Sequence, residues 1–283
     1  MLAITNYEGV NPGFGRPPAG LISGWKPCWR AVVSLFLLLS AGGGAAQTNT
    51  TPGSASVTAP DFPGRALKIY LQSRDRLRAE QTNTNLAWQF GRAAFDWAEF
   101  ATNDTQRAAI AHEGIAACRQ LTARQPDLAA GHYYLAMNLG QLARTKFLGA
   151  LPIVEEMETE FKSAAALDAR FDYAGAERSL GLLYFDAPGW PTSVGSRSNA
   201  RLHLERAVTL SPDYPDNRLC LLEVYLKWGD KAGIKRELLK LEELLPKARL
   251  VLTGEAWEAN WADWNLRWKK IKEKTGAASP AKK

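Results

Sequence analysis

The residue types that perform catalysis or bind metals are scattered along this sequence. Its three histidines, His112, His132 and His203, each stand alone in a different predicted helix. The chain contains no HExxH, CxxC, GxSxG, P-loop or GxGxxG pattern. Zinc sites need several Cys, His or carboxylate ligands at defined spacings. The sequence therefore predicts no catalytic residue, no metal site and no cofactor, and it favours a protein that is not an enzyme.

The pattern of charged side chains is more typical of a binding protein than of an enzyme. A run of glutamates from Glu155 to Glu160 is interpreted as the solvated face of a helix. Arg178, Tyr184 and Trp190 are predicted to converge near an insertion at 186–200 and to belong to a groove for a ligand or partner. Arg178 is interpreted either as a ligand-binding residue or as an ordinary partner in an ion pair, and both interpretations stay open at this stage.

Composition narrows the class of partner. The chain has 283 residues, 46% of them hydrophobic and 10% aromatic, which is typical of a globular protein with a core. Its net charge of +6 is modest, and Lys and Arg are interleaved with Glu and Asp. A nucleic-acid-binding protein would concentrate its basic residues on one face. We therefore expect no nucleic-acid partner.

The N-terminal segment resembles a secretion signal. Lys26 and Arg30 precede the apolar run 31–39, and small residues follow it up to Ala46. The run is too short to cross a bilayer. The sequence predicts a signal peptide over 1–46, cleavage after Ala46, and a periplasmic or secreted mature chain. Cys118 and Cys220 then remain, either as buried free thiols or as a disulfide.

The remaining chain divides by composition. Residues 47–63 are rich in Thr, Ser, Pro and Gly and are predicted to be a disordered linker. Residues 64–274 read as successive helices with almost no strand signal, and 275–283 are predicted to be a disordered tail. The sequence thus indicates one helical domain between two flexible ends.

Self-similarity predicts how the helices are arranged. Four times an apolar-small or apolar-apolar doublet is followed by a residue one turn later and then by a second apolar helix. The doublets are Phe90-Gly91, Leu135-Ala136, Leu180-Gly181 and Leu221-Leu222. The pattern predicts an all-α fold of antiparallel helix pairs, stacked as a tetratricopeptide-repeat-like solenoid.

Small residues and prolines give this pattern its physical basis. Gly91, Ala136 and Gly181 allow paired helices to approach closely, while Pro212 and Pro246 are predicted to end helices. Insertions at 149–152 and 186–200 are expected on one face of the solenoid.

A tryptophan stripe marks the last helix, predicted from about residue 255 to 272. Trp257, Trp261, Trp264 and Trp268 are spaced by four, three and four residues, which places them on one side of a helix. The stripe is interpreted as a C-terminal capping helix that seals the solenoid, and alternatively as a contact with a partner or a second copy.

The stretch 167–229 resembles the T component of tetratricopeptide-associated tripartite ATP-independent periplasmic (TRAP) transporters. The similar features are the Ala174-Gly175 pair, Arg178, the Leu180-Gly181 doublet with Tyr184 after it, and a Pro/Gly-rich loop before a helix that reads ARLHLERAV.

This resemblance implies a solenoid of four helix pairs that forms homotrimers and docks the transporter's substrate-binding subunit. It also implies a small hydrophobic or organic-acid ligand. By the usual geometry of the family, the concave groove is lined by Trp88, Arg92, Tyr133, Met137, Arg178, Leu182, Glu223 and Lys227.

The sequence therefore supports two functional hypotheses. The first is a periplasmic accessory protein of a TRAP-type transport system that binds a protein partner and a small organic ligand. The second is a generic tetratricopeptide scaffold that mediates protein–protein interaction in the cell envelope.

Overall fold

The computed structural model describes residues 60–146 and 149–276, and within these ranges the chain is built from α-helices. Residue 60 precedes the first helix, and Gly189 and Gly195 form an isolated β-bridge in one loop. The ten described helices are α1 Phe62–Ala79, α2 Thr84–Ala98, α3 Asp104–Arg124, α4 Ala129–Ala143, α5 Leu151–Leu167, α6 Phe171–Asp186, α7 Arg197–Leu210, α8 Pro215–Trp228, α9 Lys231–Val251 and α10 Glu258–Thr275. A 3₁₀ turn, Glu255–Trp257, precedes α10.

Short polar residues begin many of these helices. The side chain of Asp61 accepts a hydrogen bond from the Gly64 amide, and Asn103, Ser196 and Asp230 cap α3, α7 and α9 in the same way. Gly229 ends α8 with a φ of 66°, a conformation that glycine adopts without steric cost.

The helices pack as four consecutive antiparallel pairs, α2/α3, α4/α5, α6/α7 and α8/α9, preceded by α1. The all-α repeat prediction is therefore confirmed. The small residues lie where the helices meet: a Cβ on Gly181 would lie 2.5 Å from Cγ of Leu204, and one on Gly91 would lie 2.3 Å from Sγ of Cys118. Close approach between paired helices thus requires glycine at both sites.

Two large apolar clusters form the core. The first is centred on α4, α5 and α6 and includes Tyr133, Phe161 and Leu180. The second joins α8, α9 and α10 around Trp264, which is fully buried. The C-terminal helix is therefore part of the folded body.

One predicted helix end is wrong. Pro246 lies inside α9, which continues to Val251. A proline in a helix removes one backbone hydrogen bond but leaves φ in the helical range. The turn of helix after Pro246 is held by Ala248, which is buried in the second apolar cluster.

The ends of the first and last described helices lie close to the predicted domain boundaries. Helix α1 begins at Phe62, two residues before the predicted domain start, and α10 ends at Thr275, one residue after the predicted domain end. The predicted signal peptide and most of the linker and tail lie outside the described residues. None of the described helices has the length and apolarity needed to cross a bilayer.

Candidate binding surfaces

A string of charged side chains runs from α2 to α10 along one side of the solenoid, and we call it the inner-face network. It contains three arginines and five carboxylates: Arg92, Asp96, Asp172, Arg178, Asp216, Glu223, Asp263 and Arg267. Arg92, Arg178 and Glu223 belong to the groove that the family resemblance implies.

Arg178 lies at the centre of this network and is buried. Its guanidinium contacts the Asp216 carboxylate at 3.2 Å and donates a hydrogen bond of 2.8 Å to Oδ1 of Asn217. Burial alone would lower the pKa of Arg178, but the carboxylate of Asp216 raises it above its usual value. Of the two sequence interpretations, the structure places Arg178 in an ion-pair network; the ligand-binding role stays untested.

A left-handed turn supplies the other carboxylate next to Arg178. Asp172, Tyr173 and Ala174 have φ values of 49°, 56° and 61°. Each such residue costs about 1–2 kcal/mol relative to a right-handed helix. The turn places Asp172 where it accepts a 2.8 Å hydrogen bond from the Tyr133 hydroxyl and lies 3.7 Å from Arg178. Burial, followed by the Asp172 carboxylate, raises the pKa of Tyr133 well above its usual value, so the phenol remains a donor.

Glycine is required directly after this turn. A Cβ on Gly175 would lie 2.6 Å from the Tyr133 hydroxyl oxygen. Tyr173 stacks on Tyr214 with ring centroids 4.4 Å apart. The Ala174-Gly175 pair noted in the sequence therefore marks the place where α6 meets α4.

Helix α10 covers the part of the predicted groove that α8 provides. Asp216, Cys220 and Glu223 lie on one face of α8, and Arg267 contacts all three, with two hydrogen bonds of 2.9 Å to Glu223. Trp264 packs edge-on against Tyr214 at 5.5 Å. This face of α8 is therefore occupied by the chain's own C-terminal helix.

The beginning of α10 also reaches the first helix of the solenoid. The Arg65 guanidinium donates to Glu255 at 2.9 Å and to Glu258 at 2.8 Å. Beside these ion pairs, Ala66 and Ala259 are buried together against Trp97. Helix α10 thus links α1 and α2 to α8.

The tryptophan stripe forms a cap over the end of the solenoid. Trp257, Trp261 and Trp264 are buried, while Trp268 is partly buried and has Lys272 over its ring at 5.7 Å. Nε1 of Trp261 donates to the Leu252 carbonyl at 2.7 Å. The indoles belong to the second apolar cluster with Tyr214, Leu241 and Leu244, so the apolar end of the solenoid is covered from within the chain.

The inner face is aromatic near α2 and α4. The Trp88 indole is partly buried and stacks on Tyr134 at 6.0 Å with the rings nearly parallel, and Phe171 meets it edge-on. Nearby, Nε of Arg92 lies 3.8 Å from Asp96, which is too long for a hydrogen bond. Trp88, Arg92 and Tyr133 thus lie in one region around Tyr134.

The remaining predicted groove residues contact several different elements. Tyr184 donates a hydrogen bond to Glu158 of α5 and stacks on His203 of α7. Leu182 packs against a small apolar cluster formed by α7 and α8, and Lys227 is exposed. Met137 is buried, and the Ser179 hydroxyl donates a hydrogen bond to its sulfur at 3.7 Å. The predicted convergence of Arg178, Tyr184 and Trp190 is therefore not observed, because each residue contacts a different part of the fold.

Trp190 stands out on the loop between α6 and α7, since 89% of its surface is exposed. The loop around it is tightly hydrogen-bonded: the Gly195 amide donates to the Pro188 carbonyl at 2.8 Å, and the Ser196 amide donates to the Tyr184 carbonyl at 2.9 Å. Val194 packs against the main core cluster. The loop thus holds a large indole in solvent on a well-fixed backbone.

Several polar contacts between neighbouring helices were missed by the sequence reasoning. Nδ1 of His132 lies 2.6 Å from the Glu160 carboxylate and Nδ1 of His203 lies 2.6 Å from that of Glu177, while Arg119 forms an ion pair with Glu156 at 2.8 Å. The glutamate run is thus not simply a solvated face. The sequence shows His and Glu on adjacent predicted helices. It does not show the register in which those helices pack, so these contacts could not be predicted.

Of the two interpretations of the cysteines, the structure agrees with buried free thiols and not with a disulfide. Cys118 and Cys220 are free and buried, and burial raises the pKa of the Cys118 thiol to about 12. Across residues 60–146 and 149–276 no group of three or more metal-ligating side chains occurs.

Together these features define the class of protein: a closed helical-repeat body with an ionic inner face and a rigid, exposed insertion loop. No protein-family model and no curated protein sequence matches the chain. Among solved structures it is similar to a thermophilic tetratricopeptide-repeat protein of Thermus thermophilus. The TM-score is 0.56 at 19% identity, over 74% of this chain and 91% of that one. The likeness establishes a tetratricopeptide-like fold.

Proposed function

We propose that this protein is a scaffold of the cell envelope that binds a protein partner through the α6–α7 loop, with Trp190 as the anchoring side chain. The observation that carries the proposal is the 89% exposure of an indole on a loop fixed by backbone hydrogen bonds. Tryptophan is enriched among the residues that dominate binding energy, and a rigid loop loses little entropy on binding.

The occupation of the inner face by α10 also favours the α6–α7 loop as the binding surface. Repeat proteins often bind partners on their concave side. Here Arg267 covers Asp216, Cys220 and Glu223 of α8, and Trp264 fills the space beside Tyr214. A partner segment would have to displace a helix that belongs to the core, whereas the α6–α7 loop needs no rearrangement.

Site-specific photocross-linking tests this proposal. Trp190 is replaced by p-benzoylphenylalanine in the full chain, which is expressed in the cell that makes it and irradiated. Leu250 is the matched control, because it is 81% exposed at the end of α9. We expect one discrete protein adduct from position 190 and none from position 250. The same adduct pattern from both positions, or no adduct from position 190, would contradict the proposal.

A narrower proposal concerns the system in which this scaffold works. The similarity of 167–229 to the TRAP T component supports a role as an accessory protein that docks the substrate-binding subunit of such a transporter. It also supports a small hydrophobic or organic-acid ligand near Trp88 and Arg92. Mass spectrometry of the adduct from position 190 tests the docking role, because the substrate-binding subunit should be the protein recovered.

Export and assembly complete the proposal. A periplasmic or secreted location requires removal of residues 1–46, so N-terminal sequencing of exported protein should begin at Gln47. A mature chain that still contains Phe36 would contradict export by this signal. The homotrimer that the resemblance implies is tested by light scattering of the mature protein.

A further inference from the structure

Helices α1 and α3 both pack on α2 and leave a cleft of about 300 Å³ between them. This volume lies at the lower end of the range for small-molecule sites. The cleft is far from the α6–α7 loop in the repeat order and shares no residue with the inner-face network. Its two walls are Arg74, Leu77 and Arg78 on α1 and Ala117, Gln120 and Arg124 on α3.

The charge of the cleft is predominantly positive. Arg74, Arg78 and Arg124 line it together with one carboxylate, Glu113. Glu113 lies at the Tyr70 end, where burial and a hydrogen bond to this carboxylate raise the pKa of Tyr70 to about 12. Arg78 and Arg124 lie at the opposite end, where the lining includes no carboxylate.

These arginines have weak ionic partners. Arg78 lies 3.9 Å from Asp75, and both side chains are mostly exposed. Arg124 donates through Nε and Nη1 to the carbonyls of Gln120 and Gln81, and its Nη2 can still donate to a ligand. Neutral carbonyls hold Arg124 in place without cancelling its charge.

The next repeat shows how such a gap is otherwise closed. Between α3 and α5, Nη2 of Arg119 donates to both carboxylate oxygens of Glu156, at 2.8 and 2.9 Å. Within the described residues no ion pair links α1 to α3, and arginines face the gap from both sides. An anion bound between these arginines would form ion pairs with them, as Glu156 does with Arg119 one repeat later.

The floor of the cleft is apolar. Phe90 and Ala87 of α2 form it, and Leu77 and Ala117 extend it up both walls. A carboxylate with an apolar chain matches this division, because the chain loses contact with water along the floor while the head group meets guanidinium groups at one end.

We propose that this cleft binds a small amphipathic carboxylate, with its head group between Arg78 and Arg124 and its chain on Leu77, Phe90 and Ala117. The site stands independently of the partner surface at Trp190.

Isothermal titration calorimetry of the full chain with decanoate, below its micellar concentration, tests the site. Four variants are compared with the parent. Arg78→Gln removes one head-group ligand, and Ala116→Trp fills the cleft from its exposed wall without touching the core. Arg76→Gln removes an exposed arginine of α1 that does not line the cleft, and Leu250→Ala removes a distant apolar side chain.

We expect saturable binding of one decanoate per chain, weakened about tenfold by Arg78→Gln. Binding should be abolished by Ala116→Trp and unchanged by Arg76→Gln and Leu250→Ala. The uncharged analogue 1-decanol should show no saturable binding. The proposal is overturned by absent saturation, by equal affinity of the Arg78→Gln and Arg76→Gln variants, by undiminished binding to Ala116→Trp, or by equal binding of decanol.

Discussion

The guanidinium of Arg65 in the first helix lies 2.8 Å from the carboxylate of Glu258 in the last helix, although 193 residues separate them in sequence. A repeat solenoid normally holds each unit only through its neighbours. This ion pair, with Ala66 against Ala259, adds a contact between the two ends. The chain therefore folds as a closed body, which leaves loops and outer clefts as its accessible binding features.

The Arg65 ion pair should couple the two ends energetically. In a double-mutant cycle of Arg65→Ala and Glu258→Ala, we expect a coupling free energy of about 0.5 kcal/mol, as is usual for partly exposed ion pairs. Urea unfolding followed by circular dichroism measures it. The cycle of Arg78→Ala with Asp75→Ala is the control, since that pair joins residues of one helix. Strictly additive effects at Arg65 and Glu258 would show that the end-to-end contact contributes nothing.

Gly181 should be intolerant of any side chain. The Cβ of Gly181→Ala would lie 2.5 Å from Cγ of Leu204 and 3.0 Å from the Leu204 backbone nitrogen. We expect a loss of about 1–3 kcal/mol in the free energy of unfolding through overpacking, and more for Gly181→Leu. Gly189→Ala is the control, because its Cβ would have no neighbour closer than 3.7 Å. Equal stability of the two alanine variants would mean that α6 and α7 are not in close contact.

The tryptophans of α10 and of the loop should behave in opposite ways. Trp264 is fully buried, so Trp264→Ala should cost about 3–5 kcal/mol. Trp190→Ala should change stability by less than about 0.5 kcal/mol, because the indole is in solvent. Truncation after Thr253 removes the whole cap and should give an aggregating chain in size-exclusion chromatography. A soluble, fully helical truncated chain would reject the capping role.

Local sequence patterns predicted only part of this fold. The helix pairs and the close contacts at Gly91 and Gly181 follow from local periodicity, which a single sequence displays. The return of α10 to Arg65 depends on the superhelical path of the whole chain, which no local pattern encodes.

The candidate site was predicted only in part for the same reason. Trp88, Arg92 and Arg178 were assigned to the inner face by the resemblance to the TRAP T component. The occupation of that face by Arg267 was not predicted, since it depends on where the last helix turns. Trp190 was expected in the groove, but its side chain is 89% exposed on the loop between α6 and α7.

Asp263 should make stability depend on pH. Burial raises its pKa above the ordinary value, with Arg267 opposing the shift and Asp216 adding to it. A carboxyl group with a raised pKa in the folded state binds its proton more tightly there than in the unfolded chain, so stability falls as pH rises above the ordinary pKa of about 4.

The variant Asp263→Asn has no carboxyl group at this position, so its stability should not fall in this way as the pH rises. We expect it to be more stable than the parent at pH 7 and to lose that advantage near pH 4, as measured by urea unfolding at both values. Asp75→Asn, on the exposed surface of α1, is the control and should show no such crossover. A variant that is less stable than the parent at pH 7 would show that the ion pair with Arg267 outweighs burial.

Trp190 carries the proposed function, and its contribution to the affinity for the cross-linked partner is the most direct measure of it. Isothermal titration calorimetry is performed with the purified partner and the parent chain, Trp190→Ala and Leu250→Ala. Because both replaced side chains are more than four-fifths exposed, neither change should disturb the fold. We predict that Trp190→Ala weakens binding about 30-fold or more, as for an anchoring residue at an interface, and that Leu250→Ala leaves it unchanged. Equal affinities of the parent and Trp190→Ala would contradict an anchoring role for this indole.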